Sequence, residues 1–256
     1  MDGMDEHSTA VARVLVCLEE VGAEYEIVPI DFTVKEYQTP AHIARNPFGQ
    51  VPAFQDDDFV IFESSAISRY ILSKYKSNLL PEDDLRTATM VNVWLDVEYG
   101  QYNTPISTII YDLVFKPMMG TVPDQQIVDA NLENFKKVLK VYEARLSQCK
   151  YLAGDFISFA DLSHFPYTYY FAGSQYGSLF NSYPHLKAWW EDLMSRPSHS
   201  HTEVHKTHLE KCCSSWKFSI NFSKVYRQMK PNREVRDRVK FRFHTSIKFL
   251  DKLSKV

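Results

Sequence analysis

Cysteine is scarce in this 256-residue sequence, and its four cysteines form neither a CxxC pair nor a disulfide framework. They are Cys17, Cys149, Cys212 and Cys213. Apolar runs of transmembrane length are also lacking, and we expect that the acidic, polar segment MDGMDEHST is not a secretory signal. These absences argue against a secreted disulfide-bonded protein and a membrane protein, and we expect a cytoplasmic protein in a reducing compartment.

Apolar and aromatic residues are plentiful by contrast, at 45% and 14% of the chain, which is enough for a folded core. Charge is divided unevenly. From Cys212 to Val256 there are 12 Lys and Arg against 3 Asp and Glu, whereas Met1–Lys211 has a net charge of −12. This break predicts a basic C-terminal extension, residues 198–256, attached to an acidic globular body.

Hydrophobic spacing predicts an α/β part followed by a helical part. Residues 1–76 have the pattern helix, strand, loop, two strands and helix, and the first helix is predicted over 9–21 with Ser8 or Thr9 as its N-cap. The linker SNLLPEDD separates this part from residues 84–197, where apolar residues recur at helical spacing.

Two further helix signals lie in the second part. One long helix is predicted from Asp84 towards Met119, with an interruption at Pro105. Ser158 and Asp161 fit a capping box at the start of a later helix.

The segment NPFGQVPAF places Pro52 at the start of a predicted strand, where proline has no N–H for a ladder. One interpretation is an ordinary edge-strand proline. The other is a cis Val51–Pro52 bond that turns the N–H and C=O of Val51 towards a ligand. An extended peptide could then pair with Val51 as an added strand does.

The segment FESSAI places Glu63 and Ser64 between a strand and a helix. The first N–H groups of that helix and the Ser64 hydroxyl could bind a carboxylate, and Glu63 could accept from an ammonium, as the head of an α-amino acid requires. The alternative is that Ser64 is a simple N-cap. Ser8 offers a similar choice between a cap and a donor that lowers the pKa of a bound thiol from about 8.5.

An extended peptide, an amino-acid head group and a thiol together describe glutathione. The segments RVLVCLEE, ARNPFGQVPAF, FESSAISRYI, VYEARLSQCKYLAGD and SFADLSHFP resemble the phi class of plant glutathione transferases, over residues 8 to about 197. The resemblance implies a thioredoxin-like glutathione-binding domain at 1–76, a helical electrophile-binding domain at 84–197, and a homodimer. It implies conjugation of reduced glutathione to hydrophobic electrophiles in detoxification or stress response, with peroxidase activity as a second possibility and no cofactor.

The resemblance also assigns roles by position. Ser8 would be the catalytic residue, because it would stabilise the glutathione thiolate. Seven residues would bind glutathione: Tyr37, Gln38, Gln50, Val51, Pro52, Glu63 and Ser64. Two aromatic residues spaced i, i+4 on the long helix, Tyr111 and Phe115, would contact the electrophile, with core packing as the alternative for both.

Three departures from the family pattern bear on activity. The loop Lys35–Gln38 lacks the family's His-Lys pair, no strand pattern occurs in MDGMDEH before Ser8, and roughly 60 residues follow SRP. In the family the first strand lies inside the sheet, so we expect this chain to be impaired in stability and activity. The alternative function is a non-catalytic ligand-binding or interaction protein on the same fold.

The C-terminal extension has two patterns of its own. His201, His205, His208 and Cys212 would share one face of any helix there and could bind zinc or nickel. WKFSINF and VKFRFH alternate aromatic with polar or basic residues, a pattern that could bind nucleic acid or an anionic membrane. We expect no metal, nucleic acid or membrane binding, and an extension that is poorly ordered and dispensable for the fold.

Overall fold

The computed structural model describes residues 6–32, 34–196 and 241–245, and for residues 6–8, 118 and 241–245 it describes the backbone alone. The N-terminal domain has the predicted order of elements. They are α1 (Glu6–Val21), β1 (Tyr25–Pro29), a 3-10 turn (Glu36–Gln38), α2 (Pro40–Ile43), β2 (Ala53–Asp56), β3 (Phe59–Phe62) and α3 (Ser64–Lys74).

Helix α1 begins at Glu6, three residues before the start that hydrophobic spacing predicts. Acidic side chains are favourable in the first turn of a helix, and this turn contains Glu6. The prediction that Ser8 or Thr9 is the N-cap is therefore wrong, because both residues lie inside the helix. Ser8 still lies among the first N–H groups, which have no partner within the helix.

Within the described residues the sheet has four strands in the order β1-β4-β2-β3, and its inner strand β4 is Phe241–Thr245 from the C-terminal extension. One neighbour, β1, runs parallel to β4 in a register from Tyr25–Phe241 to Pro29–Thr245. The other, β2, runs antiparallel to β4. The expectation that the whole extension is poorly ordered is wrong for these five residues.

The sequence of β4 suits an inner position. Aromatic residues favour strands, and Phe243 lies at the register position of Ile27 on one side and of the fully buried Phe54 on the other. An inner strand also satisfies its backbone N–H and C=O groups on both sides. The alternation in VKFRFH therefore indicates a strand of this sheet; the predicted histidine cluster lies outside the described residues.

The helical domain begins after Asp84, whose carboxylate accepts from the N–H groups of Arg86 and Thr87. Up to Arg196, where this described range ends, seven α-helices follow: α4 (Leu85–Val97), α5 (Asn103–Ile110), α6 (Lys116–Met118), α7 (Gln125–Leu146), α8 (Phe159–Leu162), α9 (Phe165–Gly173) and α10 (Pro184–Met194). A 3-10 turn covers Gly177–Ser182. Within the described ranges, none of the helices is both long enough and apolar enough to cross a bilayer.

The predicted long helix continues without a loop through α4, α5 and α6, joined by π-helical turns at Glu98–Tyr102 and Tyr111–Phe115. A proline follows each turn within three residues, Pro105 after the first and Pro117 after the second. Proline removes one helical hydrogen bond and its ring crowds the carbonyl four residues earlier, and a wider π turn relieves that crowding. The interruption predicted near Pro105 therefore takes the form of a π turn.

Helix α1 packs against both apolar clusters of the molecule. Its Val11 and Leu15 are buried with Phe54 and Ile67 beside the sheet, in the core of the N-terminal domain. Its Cys17 belongs to the larger cluster of the helical domain. The helix that contains Ser8 is thus fixed from both sides.

The predicted capping box is confirmed, and its carboxylate is fully buried. Asp161 accepts from the N–H and hydroxyl of Ser158 at 2.9 and 3.0 Å, from the N–H of Leu152 at 2.9 Å, and from Nε1 of Trp189 at 3.0 Å. Burial raises the pKa of Asp161 and these donors lower it, with burial the larger effect. Four donors on one carboxylate connect the start of α8 to the preceding loop and to α10.

Replacing Asp161 by alanine should destabilise the protein far more than an ordinary cap deletion. Four buried donors would lose their acceptor, and each buried unpaired group costs about 1–3 kcal/mol, so we expect a loss of at least about 3 kcal/mol. Asp84→Ala removes an exposed cap and should destabilise the protein much less. Urea unfolding of the two variants measures the difference, and equal losses would contradict this account of Asp161.

Candidate functional site

The open end of the β2–β3 hairpin brings two of the predicted segments together. Ala53 pairs with Phe62, so Val51–Pro52, just before β2, and Glu63–Ser64, just after β3, lie at the same end of the hairpin. The Val51–Pro52 peptide bond is cis, which agrees with the second of the two interpretations of this segment. Val51 itself is buried and precedes the ladder, which begins at Ala53.

The turn before Pro52 is held by two side chains that sequence reasoning missed. Nε2–H of the buried His42 donates to the carbonyl oxygen of Gln50 at 2.8 Å, and the amide of the buried Asn46 donates to the same oxygen at 2.9 Å. Asn46 also accepts from the N–H of Phe48 at 3.1 Å. Both donors fix the direction of the Gln50–Val51 peptide.

Gly49 brings this turn against the loop that contains Tyr37 and Gln38. Its φ of 63° lies in the left-handed region, and a Cβ there would lie 3.2 Å from the carbonyl oxygen of Tyr37. Tyr37 stacks on Phe32 with ring centroids 4.8 Å apart, and the neighbouring Gln38 is exposed. The structure therefore brings the loop at 36–38 to the edge of the Gln50–Pro52 turn.

The start of α3 differs from the interpretation in which Ser64 is a simple N-cap. The N-cap of α3 is Glu63, with φ 71° and ψ 111°, and Ser64 is the first residue of the helix. A non-glycine residue at such φ is strained, and strain of this kind clusters at functional sites. The side chain of Glu63 is exposed at the helix N-terminus, whereas Ser64 is buried.

Arg13 of α1 joins Ser64 to the helical domain. Its Nη1 donates to Oγ of Ser64 at 3.0 Å, and its Nη2 donates to Oε1 of Glu98 at 3.0 Å. The same guanidinium also contacts the carbonyl oxygen of Ser163 at 3.4 Å. Glu98 is buried, and burial raises the pKa of Glu98 although Arg13 partly offsets the rise.

Tyr111 and Phe115, the predicted electrophile contacts, lie in the second π turn and differ in exposure. Tyr111 is 36% exposed, and Nζ of Lys116 lies 5.8 Å from the centre of its ring. Phe115 is buried in the helical core, where its ring meets Tyr170 edge-on at 5.6 Å. Phe115 thus fits the core-packing alternative, and Tyr111 offers an exposed aromatic surface.

Metal ligands are not clustered in the residues that the structure describes, where no group of three or more His, Cys, Asp and Glu side chains could hold an ion. Cys17 is buried in an apolar environment that raises the pKa of its thiol to about 12. Such a thiol is unreactive as a nucleophile.

Comparison with known proteins identifies the family. Residues 6–73 match the model of the glutathione S-transferase N-terminal domain and residues 106–197 that of the C-terminal domain. A probable glutathione S-transferase, GSTF1, of Oryza sativa subsp. japonica is 63% identical over 195 residues, which are 75% of this chain and 89% of the relative. The chain belongs to the glutathione S-transferase family.

Solved transferase structures agree with this assignment. Glutathione S-transferase I bound to lactoylglutathione has 49% sequence identity and a TM-score of 0.75, covering 77% of this chain and 94% of its own. The maize enzyme in complex with an atrazine glutathione conjugate has 49% identity and a TM-score of 0.74, covering 77% and 92%. The resemblance to the phi class and the predicted fold class are thereby confirmed.

The residues of the transferase that the sequence did not reveal are positioning groups. His42 and Asn46 are spaced i, i+4, which is a signal that both reach one face and the same acceptor. Arg13 gave no such signal, because its partners Ser64, Glu98 and Ser163 lie 51, 85 and 150 residues away in sequence.

Removing the Arg13 charge should destabilise the transferase because Glu98 would stay buried without its partner. Breaking a buried ion pair costs about 3–5 kcal/mol, so Arg13→Met should lose about that much near neutral pH. The pKa of Glu98 would rise further above 4.5 in the folded variant. The loss should therefore be smallest at or below pH 4.5 and grow as the pH rises, because a raised folded pKa gives stability only to the protonated state.

Urea unfolding of Arg13→Met and of the double variant Arg13→Met/Glu98→Gln at several pH values measures this effect. The double variant should recover most of the loss and its pH dependence. A single variant with the stability of the wild type throughout would show that the pair contributes nothing.

Proposed function

We propose that this chain is a glutathione transferase that conjugates reduced glutathione to hydrophobic electrophiles. The observation that supports it most is the meeting of a cis Val51–Pro52 turn and the Glu63–Ser64 helix start at one end of the β2–β3 hairpin. Two of the similar transferases bind glutathione derivatives, lactoylglutathione in one and an atrazine glutathione conjugate in the other.

The turn and the helix start suit the two ends of an extended tripeptide. Gln50 and Val51 would contact the backbone of glutathione, and Tyr37 and Gln38 would contact its glycyl end. Glu63 would accept from the γ-glutamyl ammonium. Because Arg13 donates to Oγ of Ser64, that hydroxyl keeps its own hydrogen to donate to the γ-glutamyl carboxylate, beside the N–H groups of α3.

Ser8 would activate the thiol from the first turn of α1. Its O–H donates to the glutathione sulfur, and the partial positive charge of the helix N-terminus adds to the effect, so the thiol pKa falls below its usual value of about 8.5. The thiolate attacks the electrophilic carbon, a C–S bond forms, and the leaving group departs with the bonding electrons. Tyr111 would hold the electrophile near the sulfur.

We also propose a homodimer in a reducing compartment. Large apolar side chains are exposed on both domains, among them Phe48 at 70%, Leu85 at 80% and Tyr99 at 77%. A homodimer interface would cover side chains of this kind. Cys17 and Cys149 are free thiols, which suits a reducing environment.

Replacement of Ser8 by alanine tests the activation step. Ser8→Ala should leave the dissociation constant of glutathione nearly unchanged and shift the pH–rate profile upward, because the thiol loses its donor. The measurement is turnover of a chlorinated nitroaromatic between pH 6 and 9, with Ser8→Thr as the control that keeps a hydroxyl. If Ser8→Ala keeps the wild-type profile, Ser8 has no part in the mechanism.

Two replacements of Glu63 separate the effect of its carboxylate on glutathione binding from the effect of its strained backbone on stability. Glu63→Gln should weaken glutathione binding at least about 30-fold, roughly 2 kcal/mol, because the ammonium loses its charged partner. Glu63→Gly should weaken binding similarly, yet raise the melting temperature, since glycine tolerates the positive φ. Calorimetric titration and thermal unfolding measure the two effects, and wild-type affinity in both variants would exclude the assignment.

A non-catalytic ligand-binding protein on the same fold remains the alternative function, and ultraviolet absorption of bound glutathione separates it from a transferase. A thiolate absorbs near 240 nm and a thiol does not, so a catalyst should show this band at neutral pH. Bound glutathione without the band, together with no turnover, would favour the alternative.

A further inference from the structure

We propose that the segment Phe241–Thr245 completes the glutathione site, acting as an inner strand that the C-terminal extension supplies to the N-terminal domain. This inference rests on the proposed glutathione transferase function. It adds a second part of the chain, 177 residues beyond Ser64, on which that site depends.

The pairing of β4 in the sheet supports this inference. Strand β4 forms five register pairs with β1 and three with β2, and in the described sheet it is the link between β1 and the β2–β3 hairpin. Without β4, β1 would have no partner strand in the described sheet. Strand β2 would lose its neighbour on the side away from β3, next to the turn that contains Val51.

The position of the carboxyl end of β4, close to the proposed site, also supports the inference. His244 pairs with Ala53, the residue after the cis proline, and Thr245 pairs with Pro29 at the end of β1. Helix α1 packs on the sheet and the connection 22–24 is short, so the chain reverses between α1 and β1 and the first turn of α1 lies towards the end of the sheet at which β1 ends. The carboxyl end of β4 lies at that same end of the sheet, next to Ala53 and the Val51–Pro52 turn.

The last described residue before the extension, Arg196, lies close to the N-terminal domain. Arg196 donates through Nε and Nη2 to the two carboxylate oxygens of Glu20, at 2.8 and 2.7 Å, near the end of α1. The neighbouring Glu19 accepts from the hydroxyl of Tyr25 at 2.7 Å. Strand β4 begins opposite Tyr25, so the extension departs from the side of the domain at which its strand begins.

The charges of the extension are opposite in sign to those of the rest of the chain. The register aligns Glu26 of β1 with Arg242 of β4, and opposite charges at facing positions of neighbouring strands are favourable. On a larger scale, 12 basic residues lie in the sequence from Cys212 to Val256, whereas Met1–Lys211 has a net charge of −12. This opposition favours association of the extension with its own body.

A proline substitution in the full-length chain tests the inference. Phe243→Pro removes an N–H from the middle of the inner strand, where proline is not tolerated. Calorimetric titration should show reduced glutathione bound at least about tenfold more weakly than by the unaltered chain, while circular dichroism shows the helices retained. Ser223→Pro makes the same change 20 residues earlier in the extension and should bind as the unaltered chain does.

A milder variant covers the case in which Phe243→Pro does not fold. Phe243→Gly keeps the N–H and lowers strand propensity, so glutathione should bind about threefold or more weakly and the ligand-free melting temperature should lie below that of Ser223→Pro. If the strand variants bind and melt like Ser223→Pro, the inference is wrong. If the unaltered chain does not bind glutathione, the proposed function fails, and the ligand-free melting temperatures alone decide whether β4 completes the sheet.

Discussion

The hydrogen-bonded ladder along β4 is the interaction on which the N-terminal domain depends, because β4 alone joins β1 to the β2–β3 hairpin among the described strands. The helices α1 and α3 pack on this sheet through Val11, Leu15 and Ile67. The first turn of α1, the Val51–Pro52 turn and the start of α3 take their positions from that packing. The geometry of the proposed glutathione site, which these three segments would form, would therefore depend on a strand that follows the helical domain in sequence.

Hydrogen bonds from side chains further fix the positions of these elements. Arg13 joins α1 to Ser64 of α3 and to Glu98 of the helical domain, and His42 and Asn46 both donate to the Gln50 carbonyl. Charged and amide donors that are themselves held by packing can keep a binding site within the tolerance that catalysis requires. The strained φ of Glu63 also indicates that the surrounding structure holds this segment in one conformation.

Local patterns predicted much of this molecule. The capping box at Ser158–Asp161 and the order of elements in the N-terminal domain followed from residue type and spacing. For Val51–Pro52 the residues left two interpretations open, and the structure has the cis bond. Long-range contacts did not follow. Arg13 has no sequence signal that connects it to Glu98, and the alternation in VKFRFH indicates a strand but not its partners, because register depends on residues far away in the chain. Exposure also had to be observed, as the contrast between Tyr111 and Phe115 shows.

The most direct test of the account is amide hydrogen exchange along the full chain, followed by mass spectrometry of peptides that contain residues 241–245. An inner strand hydrogen-bonded on both sides exchanges slowly, at a rate close to that of its neighbours in the sheet. The account therefore predicts that these amides exchange as slowly as those of β1 at Tyr25–Pro29. Exchange of 241–245 at the rate of a free peptide, with β1 and β2 still protected, would contradict it.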